Sequence, residues 1–350
     1  MTKIEWCDDT ANPFVGCSKC SPGCDNCYAE RFAARMVKNP NPKIAAKYAG
    51  ITDAAGKWTG KCSSLDLTPF HKLPQKQRLQ KTKRVFVGSM TDLFHRGTSF
   101  EDLRQHIWKQ MAFLSQYTFC ILTKRPDRMY AFCEDNANPA LRNVWLGVTI
   151  CNQAEADEKI PVLLDTPAAK RFVSAEPMLG PMDLTKCDPT GTHVAEVPEI
   201  DALTGYVRQE IQSPTFLHTV RTQKLDWVIC GGESGPGARP VHPDWIRGLR
   251  EQCVDAGVPF FFKGWGDWIT IESTNKHRED WRDIPEMLRS SGIDHRHCLQ
   301  KNGYLKKGTK DWFDIDPDSY RAGSRGRACP VGKKRAGRLL DGREWNEVPT

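Results

Sequence analysis

Between residues 84 and 263 the sequence returns six times to a short, unbroken apolar run. The runs are Arg84–Ser89, Thr118–Thr123, Val144–Thr149, Arg171–Ser174, Asp226–Gly231 and Val258–Lys263. Each is too short for a helix, and each is continuously apolar rather than alternating. That pattern predicts strands buried on both faces. Helical stretches are predicted between several of them, over Phe100–Ser115, Pro126–Cys133, Ala154–Leu164 and Pro243–Ala256. Strand–helix alternation of this kind means an α/β fold with a parallel sheet, doubly wound or rolled into a full or partial (β/α) barrel. Nearly every run ends in polar or glycine residues: Ser89–Asp92, Thr123–Arg125, Thr149, Ser174–Glu176, Gly231–Gly235 and Lys263. Active sites of parallel α/β folds form at the carboxyl ends of strands. One shared mouth is expected, and a barrel accounts for it most simply.

The second informative stretch lies upstream, at Gly16–Tyr28. Cys20, Cys24 and Cys27 spell Cys-x-x-x-Cys-x-x-Cys, with Cys17 just before them. Thiolates are soft, anionic donors suited to iron–sulfur clusters. Three of them in one loop can hold three irons of a 4Fe–4S cluster and leave the fourth open. The same residues also form two Cys-x-x-Cys pairs, Cys17/Cys20 and Cys24/Cys27, which suit a structural zinc. Zinc ribbons, however, usually place roughly 12–20 residues between their pairs, and here only Ser21, Pro22 and Gly23 intervene. The cluster reading is favoured. After Cys27 a helix is predicted over Tyr28–Val37, ended by the Pro/Asn cluster at Asn39–Pro42.

Composition fits this picture. A chain of 350 residues with 39% hydrophobic residues and mean hydropathy -0.55 reads as a soluble globular protein. No apolar run approaches the roughly 20 residues that cross a bilayer, and Met1–Trp6 holds no signal-peptide core. No membrane association and a cytoplasmic location are therefore expected. In a reducing compartment 14 cysteines argue for metal or catalytic roles rather than a disulfide scaffold, with Cys120, Cys230 and Cys253 as ordinary core residues. The expected organisation is an α/β barrel domain over residues 1–268, carrying the cysteine loop at 16–28 and an insertion at about 187–223. A basic extension over 269–350 follows. There Arg321, Arg325, Arg327, Lys333, Lys334, Arg335 and Arg338 crowd together, with Trp312 and Trp345 nearby. Together with a net charge of +7, this tail suits a phosphate backbone and stacked bases; the plainer reading is an extension packed on the barrel.

The cysteine loop resembles the radical SAM signature, with Asn26 where that signature has an aromatic residue and Tyr28 just after. A closer likeness is to a phage- and bacteria-borne family of radical-SAM-like proteins. Its pattern is met by Asn12–Cys17, Cys24, Cys27, Tyr28, Ala29 and Glu30, with Ala11 in place of a tryptophan. The likeness extends through Ser89–His95, Leu122–Pro126, Trp145–Thr149, Ser174–Pro181, Gly231–Pro240, Phe260–Gly266 and Val331–Gly342. In this pattern Cys17 is the first ligand and Cys20 an extra, so the third cluster ligand stays open between them.

The resemblance implies a radical SAM enzyme of partial-barrel type with a 4Fe–4S cluster, S-adenosylmethionine and a flavodoxin- or ferredoxin-like reductant. It also implies a nucleic-acid substrate, DNA above others. One activity of such phage proteins is thymidine hypermodification, the isomerisation of Nα-glycinylthymidine to a carbon-linked form, which shields viral DNA from host nucleases. A tRNA base, a DNA photolesion or a small metabolite are alternative substrates, and a zinc-stabilised nucleic-acid-binding protein is the non-enzymatic alternative. Within this frame Asp92 is a candidate acceptor for the SAM ammonium, and Ser174 and Glu176 are candidates for its ribose or carboxylate. Gly231, Gly232, Glu233 and Ser234 offer a close backbone approach or an anion nest, the plain alternative being a tight strand-to-helix turn. Lys124, Arg125 and Lys263 are candidate anion partners, and His95 and His242 candidate titrating groups, against solvated rim charges and structural histidines.

Overall fold

The computed structural model describes residues 4–74, 83–135, 140–190, 199–209, 218–221, 223–273, 308, 310–311 and 325–349. Its centre is a seven-stranded parallel sheet in the order β1-β2-β3-β4-β5-β9-β10, curled into a half-barrel. These strands are β1 (Asp9–Ala11), β2 (Arg84–Val87), β3 (Thr118–Thr123), β4 (Val144–Ile150), β5 (Lys170–Ala175), β9 (Trp227–Gly231) and β10 (Phe260–Gly264). The expected parallel sheet is present, in its partial-barrel form. Six of the seven strands fall on the six predicted runs. The seventh, β1, was not foreseen; it is three residues long and pairs with β2 through Asp9↔Val85, Thr10↔Phe86 and Ala11↔Val87. Helices fall where the sequence predicts them: α1 (Tyr28–Met36), α2 (Pro126–Glu134), α3 (Gln153–Asp165) and α4 (Pro243–Ala256).

Each strand is apolar throughout because each face of the sheet has its own core. Val85, Ile121, Val148, Val173, Val228 and Phe262 point to the large core shared with the helices. The residues between them, including Phe86, Cys120, Trp145, Phe172, Trp227 and Phe261, point to the other face. There the N-terminal segment plugs the half-barrel: Trp6 lies 4.8 Å from Phe86 and edge-on to Trp227 at 6.0 Å. Gly147 makes this packing possible, since a Cβ on it would sit 2.6 Å from the Phe172 ring. Burying an aromatic side chain contributes about 1.5–3 kcal/mol, so the plugged face is a second core.

The expected insertion holds a small antiparallel sheet, β6 (Glu199–Asp201), β7 (Tyr206–Gln209) and β8 (His218–Arg221). The boundary expected at 268/269 falls inside β11 (Trp268–Ser273), which pairs with β13 (Arg325–Pro330); β12 (Lys310–Asp311) pairs with β13 on its other side. The end of the chain returns to the half-barrel. Trp227 Nε1 donates to Glu347 O (2.8 Å), Trp265 Nε1 donates to Leu339 O (2.9 Å), and Leu340 is fully buried. This docking matches the plainer reading of the tail for residues 331–349. Arg321 and Trp312 lie outside the described residues. Among the described residues no helix is long and apolar enough to cross a membrane.

Candidate active site at the carboxyl ends of the strands

Side-chain alternation decides which strand-end residues meet. On β4, β5 and β10 the plug-facing positions end in Thr149, Ser174 and Lys263, and all three line one cavity of about 240 Å³. Its apolar floor is Trp6, Phe86 and Leu122. Its lid is the cysteine loop, because Cys17, Cys20, Cys24 and Cys27 line it as well. Asp92, Glu176, Gly232, Glu233 and Ser234 complete the predicted set. The candidate histidines His95 and His242 lie outside the lining, and of the predicted metal and cofactor residues Gly231 alone is absent from it. A Cβ there would meet Glu176 Oε1 at 2.9 Å and Lys263 Cβ at 3.3 Å, so Gly231 makes room for that pair.

The four loop cysteines are free thiols. Pro22–Cys24 forms a single 3₁₀ turn capped by Ser21, whose side chain accepts from Gly23 N. The Cys20 thiol hydrogen-bonds to Cys24, which drives Cys24 below its ordinary value, with Lys124 adding to the effect, and raises Cys20. Cys24 is therefore the more acidic thiol of the pair. Cys17 is pushed up to about 11 by burial and by Asp92, against the opposing pull of Arg125. Arg125 Nη1 lies 3.9 Å from Cys17 Sγ, and its Nη2 donates to Ser18 O and Ser18 Oγ at 2.9 and 3.0 Å.

Asp92 is buried, and its carboxylate is fully engaged by the protein. Oδ1 accepts from Thr123 Oγ1 (2.7 Å) and Phe94 N (3.0 Å); Oδ2 accepts from Lys124 N and Arg125 Nη1, both at 3.0 Å. Its observed work is to aim Arg125 at the cysteine loop. Glu176 sits opposite, paired with Lys263 Nζ at 2.8 Å and accepting from Ser174 Oγ at 3.2 Å. Burial pulls the Lys263 ammonium down, but the Glu176 charge and hydrogen bond outweigh it and hold Lys263 above its ordinary value.

The glycine-rich segment after β9 braces the loop. Glu233 Oε2 accepts from Asn26 Nδ2 (3.0 Å) and Arg239 Nε (2.9 Å), and Oε1 accepts from Arg239 Nη2 (2.8 Å). Burial raises the Glu233 carboxyl, yet the Arg239 and Asn26 hydrogen bonds overcome it and keep it below the usual range. Arg239 continues to Pro22 O (3.0 Å) and Asp25 Oδ2 (3.2 Å), reaching both ends of the Pro22–Asp25 turn. Gly237, at φ +79°, approaches so closely that a Cβ would lie 2.9 Å from Asn26 Oδ1, while its carbonyl accepts from Asn26 Nδ2 at 2.8 Å. A glycine at 237 is what allows this fit.

His95 and His242 take different places. His242 caps α4, its Nδ1 accepting from Asp244 N (3.1 Å). His95 belongs to the loop's support: Nδ1 accepts from Gly97 N (3.0 Å) and Nε2 meets Ser18 Oγ at 2.8 Å. Burial and then Arg125 hold its pKa down, which keeps the ring neutral near pH 7. Sequence reasoning missed Asn26, Arg239, Ser18, Trp58 and Cys62. Trp58 lines the cavity, and Cys62 Sγ lies 3.4 Å from His95 Nδ1. Arg239 sits in the quoted glycine motif and was findable there; Cys62 and Trp58 lie in a polar stretch with no pattern.

The chemistry of the donors fits an iron–sulfur cluster: several free thiols on one short loop, one of them favoured as thiolate, with two cationic side chains alongside. Among the described residues no three His, Cys, Asp or Glu side chains converge closely enough to hold a single metal ion. No curated protein and no solved structure matches the chain. A family model does match, over residues 1–349, and the chain belongs to that family, described as Protein of unknown function (DUF5131).

Proposed function

We propose that this protein is a radical SAM enzyme that carries a 4Fe–4S cluster on its cysteine loop and acts on a nucleobase-linked substrate. The observation that carries the reading is one cavity, at the carboxyl ends of a parallel half-barrel, lined by all four loop cysteines and by Ser174, Glu176 and Lys263. In a multi-iron cluster each thiolate meets its own iron, so the ligands need to face one hollow rather than one point. A structural zinc asks for four donors about 2.3 Å from a single point. The chemistry that a cluster and S-adenosylmethionine supply when bound is one-electron cleavage of a carbon–sulfur bond, giving methionine and a hydrogen-abstracting species.

The chain's own residues have separable tasks. Cys24 and Cys27, with Cys17 or Cys20, ligate. Lys124 and Arg125 offset the negative charge of thiolates. The Ser174–Glu176–Lys263 wall presents a carboxylate and an ammonium to the hydroxyl, amino and carboxylate groups of a ligand. Trp6, Phe86 and Leu122 keep the floor dry, which strengthens each polar contact above it. The resemblance to phage hypermodification proteins supports thymidine carrying N-linked glycine in DNA as substrate, with hydrogen taken from the glycyl α-carbon.

The test is anaerobic purification followed by reduction in the presence of SAM. Methionine and 5′-deoxyadenosine are expected, with turnover rising when DNA carrying Nα-glycinylthymidine is supplied and nucleosides of unchanged mass but new retention. A colourless protein that binds one zinc and leaves SAM intact overturns the reading. SAM cleavage that responds to tRNA and not to modified DNA keeps the chemistry and overturns the substrate.

A further inference from the structure

A second pocket, of about 570 Å³, opens beside the first and shares Gly232, Ser234 and Lys263 with it. It lies where the chain end docks against the tips of β9 and β10. Its far side is built by Lys333, Lys334, Gly337 and Arg338. Four of its eleven lining residues are glycines, two of them for a clear packing reason. Gly264, at φ +136°, faces Gly337 O, which a Cβ would approach to 2.8 Å, and Gly266, at φ +74°, faces Glu233 O.

The charge in this pocket is unevenly satisfied. Lys333 pairs with Glu5 at 2.8 Å, and Lys263 with Glu176 at 2.8 Å. Glu344 accepts from Asn346 Nδ2 at 3.0 Å. Lys334 is exposed and has no ion-pair partner among the described residues. Arg338 lies over the Phe261 ring at 5.1 Å and donates through Nη2 to Asn346 and to Phe262 O at 3.5 Å, which holds its guanidinium at the pocket edge. Four cations, Lys263, Lys333, Lys334 and Arg338, line this pocket against two carboxylates, Glu5 and Glu344, and this excess of cationic donors suits a phosphate, which takes several donors at once.

We propose that this pocket holds a backbone phosphate of a DNA strand whose modified base enters the first cavity. Lys334 and Arg338 are the phosphate contacts, and Lys263 is the wall between the two compartments. The inference rests on the nucleic-acid reading above and adds the place where the strand is gripped. It also separates two roles along one ligand: the phosphate positions, and the cavity selects.

The experiment is fluorescence anisotropy of the full-length protein with a labelled single-stranded DNA oligonucleotide, titrated across salt. Lys334→Ala is expected to weaken binding about fivefold near 0.1 M salt and to lower the slope of log K against log salt by about 0.7, one phosphate contact. Arg338→Gln should lower it by a similar step; Lys334→Ala is a surface change that keeps the test independent of folding. Unlabelled oligonucleotide should displace the probe at concentrations where inorganic phosphate does not. Unchanged affinity and slope in Lys334→Ala, or no binding by the parent protein, overturns the proposal. Anisotropy does not depend on iron or turnover. An iron-loaded, SAM-cleaving protein that ignores DNA sinks this inference and the DNA substrate but leaves the radical chemistry standing, and a DNA-binding protein without iron sinks only the radical reading.

Discussion

The same residue type has two fates in this chain. Cys120, Cys230 and Cys253 are fully buried in the two cores of the half-barrel, where burial drives each thiol far above its ordinary value. They behave there as small apolar groups. Cys17, Cys20, Cys24 and Cys27 sit on one loop at the mouth, beside Lys124 and Arg125, with Cys24 made more acidic than an ordinary thiol by Cys20 and Lys124. Sequence-neighbour spacing and exposure to the cavity separate the groups. A thiol gains ligating character where the protein stabilises its anion, and among the loop cysteines that stabilisation falls on Cys24.

Exchanging members of the two groups is the strongest way to break this contrast. Cys24→Ala or Cys27→Ala is expected to abolish iron binding after anaerobic reconstitution, whereas Cys120→Ala and Cys253→Ala keep it, as read by iron and sulfide analysis. Iron lost from Cys253→Ala while that variant remains folded would blur the two classes.

The next effect concerns the brace. Glu233→Gln removes the charge that holds Arg239 and Asn26. Hydrogen bonds to charged groups contribute about 1.5–3 kcal/mol each, so the loop should lose order while the half-barrel stays folded. Hydrogen exchange should accelerate across residues 20–27 and stay unchanged in β4 and β5. The brace is also acid-sensitive. Because the folded Glu233 carboxyl is held below its ordinary value, its contribution is complete above about pH 4.3, the usual carboxylate value. It fades as pH falls through the depressed folded value. Glu233→Gln should erase that dependence in the loop's exchange rates.

A smaller effect is kinetic. In protein stripped of metal, Cys24 should be alkylated by iodoacetamide first and should stay reactive below pH 7, since its thiolate persists as pH falls. Cys133, pushed up to about 12 by burial, should react only on unfolding. Mass spectrometry of labelled peptides between pH 6 and pH 8 checks both. The smallest effect belongs to the core: Cys253→Ser places a hydroxyl in an apolar site and should cost about 1–3 kcal/mol in denaturant unfolding with iron content intact.

Much of this was legible in the sequence because the sheet has two dry faces. Runs such as Val144–Val148 carry no polar side chain, and the polar residues that end them, here Thr149, mark the mouth whichever way the sheet curls. β1 was illegible for the converse reason: three residues carry no period, and their pairing with β2 depends on a partner more than 70 residues away. The site divides likewise. The cysteine spacing is local and readable, and the gathering of Ser174, Glu176 and Glu233 at one end follows from parallel topology. Partner choice is not local. That Asp92 spends its carboxylate on Thr123 and Arg125, and Glu233 on Arg239 and Asn26, follows from side-chain directions set only when distant loops meet. Cys62 beside His95 carries no sequence signal, since its neighbours across space come from two separate loops.

The central claim is that loop thiols at the strand ends hold an iron–sulfur cluster. Iron and acid-labile sulfide per chain after anaerobic reconstitution, in parent protein and in Cys24→Ala, tests it most directly. The account predicts both elements in the parent and neither in the variant. Zinc without sulfide in the parent, or iron and sulfide retained undiminished in the variant, would contradict it.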